Sequence, residues 1–233
     1  MNFNEFAPPI EYHKELNPKI WDQDRLRSEV RGALLRIAED FLEFVDVPVD
    51  VADIVITGGN VNYNYTGKSD IDLHIIANYD NIECDREADE LFDTKRLLYK
   101  QQYDLSIHGI PVELYVEDHR HPAVSLGVYS VLDDAWRNKP SADLPQYDEE
   151  ELEHWVSIWH TILKHAMKTG DLQTCRTSVK LLRDYRKKGL KTPAGEFSIP
   201  NLVYKSLRND DTVKAITTLI DQLHDQSLSV PQQ

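Results

Sequence analysis

The sequence predicts an α+β chain: a small mixed β-sheet with flanking helices, followed by an α-helical C-terminal domain. Three observations predict it. Apolar residues recur at helical spacing over residues 24–45. Short alternating or apolar runs at 53–57, 70–77, 104–108 and 111–117 read as strands. After a stretch rich in Pro and acids at 139–151, the pattern becomes wholly helical. The expected division is an N-terminal arm at 1–22, a first domain at 23–140 and a helical domain at 141–233.

Each element has its own justification. Residues 1–21 contain Pro and are irregular, which suits an arm with a short turn. In 24–45, Leu26, Val30, Leu34, Ile37 and Phe41 share a face, Asp22 or Asp24 offers an N-cap, and Pro48 closes the helix. Residues 53–57 form a short buried strand that runs into Gly58-Gly59. From 70 to 77 the residues alternate: Asp70, Asp72 and His74 point one way, Ile71, Leu73 and Ile75 the other. Residues 85–101 read as an amphipathic helix, and His108-Gly109-Ile110-Pro111 joins the next two strands as a hairpin. On the second of these strands Val112, Leu114 and Val116 share one face, and Glu113, Tyr115 and Glu117 the other. Four helices follow, near 148–168, 171–188, from Pro200, and 210–226. Trp155 and Trp159, one turn apart, suit the bundle core, and the acids at 148–151 suit a helix N-terminus.

Composition narrows the function. The 233 residues are 41% hydrophobic, enough for a sizeable core. The net charge of −14 argues against a protein that coats long nucleic acids, so no bulk binding of duplex DNA is expected. A local basic patch could still hold a nucleotide or a short RNA. No apolar run reaches the roughly 18 residues of a membrane span, and the polar start lacks signal-peptide features. Cys84 and Cys175 are too few for a disulfide framework, so a reducing, cytoplasmic setting is expected.

The chemistry centres on Asp70 and Asp72. Carboxylates at i and i+2 of a strand face the same way and repel, a penalty that a divalent cation removes. Hard oxygen ligands suit Mg²⁺, with Mn²⁺ as an alternative. Glu113, on the polar face of a neighbouring strand, can complete a set of three carboxylates able to hold two metals for an in-line displacement. Gly58-Gly59 allows close backbone approach and a phosphate grip beside the metal grip.

The run Gly58-Gly59…Ser69-Asp70-Ile71-Asp72-Leu73, with Glu113 later, resembles the DNA polymerase beta-like nucleotidyltransferase superfamily. The stretches TGGNVNYNYTGKSDIDLHII and GEFSIPNLVYKSLR also look like the small predicted nucleotidyltransferases of tailed bacteriophages. The core resemblance covers about residues 50–120, and the phage-type resemblance extends more loosely over the chain. It implies a nucleotidyltransferase core that binds a nucleoside triphosphate through Mg²⁺, with attack on the α-phosphate and release of pyrophosphate. Asp70 and Asp72 would bind metal, and Glu113 would bind metal and help activate the acceptor hydroxyl. Gly58, Gly59, Asn60 and Ser69 would hold phosphates, with Lys68 nearby. A host cytoplasm is implied if the chain is phage-encoded. The resemblance departs at Gly59-Asn60, where the superfamily commonly carries Ser after Gly; the third acid is Glu rather than the commoner Asp. The first departure motivates a second reading, a catalytically reduced nucleotide-binding or regulatory module.

Other motifs are weaker. Gly67-Lys68-Ser69 imitates a P-loop end, but Asn62 stands where that motif needs Gly, and a strand follows rather than a helix. His74 either touches the metal site or is a buried, hydrogen-bonded side chain. His119 and His121 lack cysteine partners for zinc and read as surface residues. Tyr63 and Tyr65 either stack on a base or anchor the loop. Arg176, Lys180, Arg183 and Lys187 form one helical stripe, either a grip on triphosphate or on an RNA end, or a solvated face. The expected partners are a nucleoside triphosphate and a hydroxyl acceptor on a small molecule, RNA or protein, and no membrane.

Overall fold

The structure, a computed structural model, describes residues 8–79, 85–120 and 125–230. Cys84, His121 and the first seven residues of the expected arm lie outside the described residues. The chain divides into two compact units: a mixed α/β unit of residues 11–144, and a helical unit of residues 145–230 joined by residues 8–10. No helix among the described residues is long and apolar enough to cross a membrane.

The mixed unit begins with a two-stranded ribbon, β1 (Trp21–Asp22) and β2 (Arg25–Leu26). Helix α1 spans Ser28–Val45. Strands β3 (Val51–Thr57) and β4 (Ile71–Ala77) follow, then helix α2 (Asp85–Gln102), strands β5 (Ser106–Ile107), β6 (Ile110–Asp118), β7 (Val128–Ser130) and β8 (Ala135–Asn138). The last six strands form one sheet in the order β5-β6-β4-β3-β7-β8. Only β4 and β6 pair in parallel; every other pairing in the sheet is antiparallel. Parallel neighbours cannot be joined by a tight turn, and α2 supplies the crossover between them. The β5–β6 hairpin instead turns on two residues, His108 and Gly109, both with positive φ, which matches the twist of the flanking strands.

Helix α1 buries Val30, Leu34, Ala38, Phe41 and Val45. Val30, Leu34 and Phe41 are on the expected stripe, whereas Ile37 is only half-buried and Leu26 lies in β2. The buried residues of α1 share a core with Ile71, Leu73 and Ile75, all fully buried, and with Tyr99, whose ring meets Phe41 edge-on at 5.2 Å. One face of β4 is thereby committed to the core. Because side chains alternate along a strand, Asp72 and His74 are turned to the opposite face.

Two sequence expectations need correction. The first helix starts at Ser28, not at 24, and neither Asp22 nor Asp24 caps it. Gln23 takes positive φ and turns the chain into the ribbon, while Trp21 stacks on Trp136 at 4.9 Å. Asp24 is engaged elsewhere: its carbonyl accepts from Trp136 Nε1 at 2.8 Å and its carboxylate pairs with Lys139 at 2.6 Å. Residues 11–20 are irregular as expected, yet they belong to the mixed unit and not to a separate arm: Leu16, Ile20 and Trp21 are part of its core. Strands β7 and β8 carry no signal in the sequence, since three and four residues are too few to show a period.

The helical unit contains α3 (Glu149–Thr169), α4 (Leu172–Leu190), α5 (Ile199–Asn209) and α6 (Thr212–Leu228), and each packs against the other three. Asp148 caps α3, its side chain accepting from the Glu151 backbone N–H at 2.9 Å. Asp171 does the same for α4 through Thr174 at 2.7 Å. Pro200 lies in the first turn of α5, where its missing N–H is not needed. Leu152, Val156, Trp159 and Leu163 of α3 are buried with Leu182 of α4 and Leu202 of α5; Trp155 is half-buried against the Tyr185 ring.

Candidate metal centre

The pairing of β4 with β6 sets Asp72 directly opposite Glu113. On the other side β3 sets Thr57 opposite Asp72. Asp70 immediately precedes β4, and its main-chain carbonyl accepts from Asn60 Nδ2 at 2.8 Å. Each of Asp70, Asp72 and Glu113 brings one carboxylate oxygen within 4.8 Å of the other two, and all three are half-buried. Three hard, anionic oxygens gathered in this way could hold a divalent metal ion.

Gly58 makes this convergence sterically possible. Its φ is +83°, and a Cβ at this position would fall 2.0 Å from Asp72 Oδ2. The glycine therefore lets the end of β3 lie against the carboxylate itself. Gly59 opens a short 3₁₀ turn, Gly59–Val61. A Cβ on Gly59 would come within 3.0 Å of Ser69 Oγ, which accepts from the Thr66 backbone N–H at 2.9 Å.

Asn60 has a different role from the one its position suggested. It is almost fully buried, and its side chain is fully used within the protein. Nδ2 donates to the carbonyls of Ser69 and Asp70 at 3.1 and 2.8 Å, while Oδ1 accepts from Asn17 Nδ2 at 2.8 Å. Its own carbonyl accepts from Trp21 Nε1 at 2.8 Å. The side chain thus fastens the glycine turn to the start of β4 and has no donor left for a phosphate. Lys68 is exposed at the tip of the same loop, where its backbone N–H donates to Thr66 Oγ1 at 3.2 Å. Lys180, Arg183 and Lys187 are on α4 and line a groove of the helical unit.

Two basic residues of α2 and one tyrosine surround Glu113. Lys100 Nζ pairs with Glu113 Oε1, and Tyr115 OH donates to Oε2 at 2.9 Å. Arg96 lies over the Tyr115 ring, 5.2 Å from its centroid. Burial raises the Glu113 pKa, but the Lys100 and Tyr115 hydrogen bonds and the nearby Arg96 outweigh it, so the group is held below the usual carboxylate value. The Tyr115 phenol is pushed up, first by burial and then by the Glu113 and Asp72 charges, which keeps it a proton donor. Lys100 and Arg96 were missed in the sequence. Their signal was an i, i+4 basic pair near the end of α2, whose value depends on which strand the helix flanks.

The open alternatives now divide. His74 is buried and bonded at both ring nitrogens, to Thr57 Oγ1 and to Glu117 Oε1, each at 3.0 Å. It supports the sheet face rather than joining the carboxylate group. Tyr65 stacks on His13 with ring centroids 3.8 Å apart, and Tyr63 packs against the core, so both anchor the loop. His119 is exposed beside Asp118.

Comparisons with protein-family models, characterised proteins and solved structures give no significant match to this chain.

Proposed function

We propose that the chain is a metal-dependent nucleotidyltransferase, moving a nucleoside monophosphate from a nucleoside triphosphate to a hydroxyl acceptor. The observation that carries this reading is the convergence of Asp70, Asp72 and Glu113 from β4 and β6, with Gly58 fitted against Asp72. A general acidic surface patch has no need of such a close glycine. In the proposed reaction the acceptor hydroxyl gives up its proton, with Glu113 as the carboxylate that would help take it; its oxygen bonds to the α-phosphorus, the bond from that phosphorus to the bridging oxygen breaks, and pyrophosphate leaves.

Asp70 and Asp72 would hold Mg²⁺ or Mn²⁺, and Glu113 would share one of the ions. The bound cations would offset phosphate charge and lower the pKa of the attacking hydroxyl. Tyr115 and Lys100 hold the Glu113 carboxylate in place before substrate arrives. The Gly58-Gly59 backbone would approach the phosphates. Asn60 would act indirectly, by fixing that turn. The departure at Gly59 has a local counterpart: the Ser69 hydroxyl lies beside the space where a residue-59 side chain would begin. That placement favours an active enzyme over the reduced, regulatory alternative.

The test is incubation of the protein and total host extract with each α-³²P nucleoside triphosphate, with Mg²⁺ and with EDTA. A metal-dependent label on one class of acceptor, lost in Asp70→Asn/Asp72→Asn, is the expected result. Labelling that persists in the double variant would overturn the assignment.

A further inference from the structure

The excess acid of this chain is not evenly spread. Residues 145–233 carry twelve basic and twelve acidic side chains, so the whole net charge of −14 belongs to residues 1–144. Within the neutral helical part, α4 concentrates the cations, with six basic residues and Asp184 as its one acid. Arg186 is used internally: its Nε donates to Asn201 Oδ1 at 3.0 Å and its guanidinium stacks on Tyr204 at 4.4 Å. The stripe formed by Arg176, Lys180, Arg183 and Lys187 is different. All four are exposed, and together they line a groove of 600 Å³ between α4 and α6. Among the described residues, none of the four has a carboxylate within 4.0 Å, although Asp184 and Asp221 line the same groove.

We propose that this groove binds single-stranded RNA. Eleven residues separate the outer cations, which at the rise of an α-helix is about 16 Å. That length faces several successive phosphates of a strand, whereas the three phosphates of a nucleotide, joined by shared oxygens, cover less than half of it. The two acids discriminate further. Phosphate chains offer no donors to Asp184 and Asp221, but RNA brings ribose 2′-hydroxyls and base amines that can donate to them. A trough between two packed helices admits one strand more readily than the convex face of a duplex. Val179 and Ile220 give the groove an aliphatic lining with no aromatic platform, so backbone charge governs binding and base preference is weak. This site stands independently of the carboxylate centre.

The test is fluorescence anisotropy of a labelled 12-nucleotide RNA of mixed sequence with the full chain, in EDTA and without nucleotide. These conditions separate the result from the fate of the transferase reading. The expected outcome is salt-dependent binding, with a log–log slope of about −3 for four neutralised phosphates. Lys180→Glu/Arg183→Glu should weaken binding at least tenfold and flatten that slope. Lys180→Arg/Arg183→Lys should retain it, which guards against a folding defect in the first variant. The same sequence as DNA, and as duplex RNA, should bind several-fold more weakly. No RNA binding at low salt, equal binding by the charge-reversed variant, or equal affinity for DNA or duplex would overturn the proposal. So would complete displacement by tripolyphosphate at matched phosphate concentration, since that would mark a small-anion site.

Discussion

Gly58 and Gly109 both have left-handed backbone, with φ of +83° and +77°, yet they meet different surroundings. A methyl group on Gly109 would touch nothing within 4 Å, so Gly109→Ala carries only the conformational cost, about 1 kcal/mol. On Gly58 it would collide with Asp72 Oδ2. Gly58→Ala should therefore cost more, roughly 2 kcal/mol or above, and weaken Mn²⁺ binding at least tenfold by displacing that carboxylate. Urea melts and a Mn²⁺ titration of both variants check this; unchanged Mn²⁺ binding in Gly58→Ala would show that Asp72 does not depend on the approach. Glu113 gives a pH-dependent prediction. Its folded pKa is depressed, so its contribution to stability is present above the unfolded carboxylate pKa and is lost as pH falls through the folded value. Lys100→Met removes a main cause of the depression. In EDTA, wild type should exceed this variant in stability near pH 7, and the two should converge as the pH falls through the usual carboxylate range and Glu113 protonates. A difference that stays constant across that range would sink the pairing as its source. Asp72 and Glu113 are legible in the sequence because residue type and strand alternation fix which way a side chain faces, Asp70 by its i, i+2 spacing from Asp72, and Gly58 as a glycine turn beside the acids. The sequence suggests Asn60 as a phosphate ligand; its role in fastening the turn is not legible there, because its partners Asn17 and Trp21 are about forty positions away.

At the scale of elements, strand period and strand pairing carry different information. The alternation in β4 identifies the faces that hold Asp72 and Ile71, and that of β6 does the same for Glu113 and Leu114. Neither period states that the two strands are neighbours, run parallel, or place Asp72 opposite Glu113. Those facts come from α2, whose length permits the crossover and whose Lys100 reaches Glu113. The interiors of the long helices α1 and α3 are legible in the sequence, since about five turns or more give the apolar period many repeats. Helix starts are legible where a local signal marks them, such as the Asp148 and Asp171 caps or Pro200 in the first turn of α5. Asp148 begins α3 as expected, whereas α1 starts four residues later than expected because Trp21 and Leu26 are held in the ribbon. The α3 cap has a simple consequence. Asp148→Ala should destabilise the protein by about 1 kcal/mol, and Asp148→Ser should restore most of it. Equal thermal melts for the wild type and Asp148→Ala would show that the cap does not secure the helix.

At the scale of the whole molecule, the charge distribution sets the terms for substrate binding. All of the net negative charge belongs to residues 1–144, which also supply the three converging carboxylates. A triphosphate cannot bind beside Asp70, Asp72 and Glu113 unless cations intervene, so nucleotide affinity should depend steeply on divalent metal. Calorimetry with each triphosphate should give no measurable binding at the centre in EDTA and saturable binding in Mg²⁺. The central claim is that these three carboxylates form one divalent-cation site. Its most direct test is a Mn²⁺ titration followed by electron paramagnetic resonance, comparing wild type with Asp70→Asn/Asp72→Asn. The account predicts saturable Mn²⁺ binding by the wild type and at least a hundredfold weaker binding by the double variant, with the same far-UV spectrum. Equal Mn²⁺ affinity in the two proteins would contradict it.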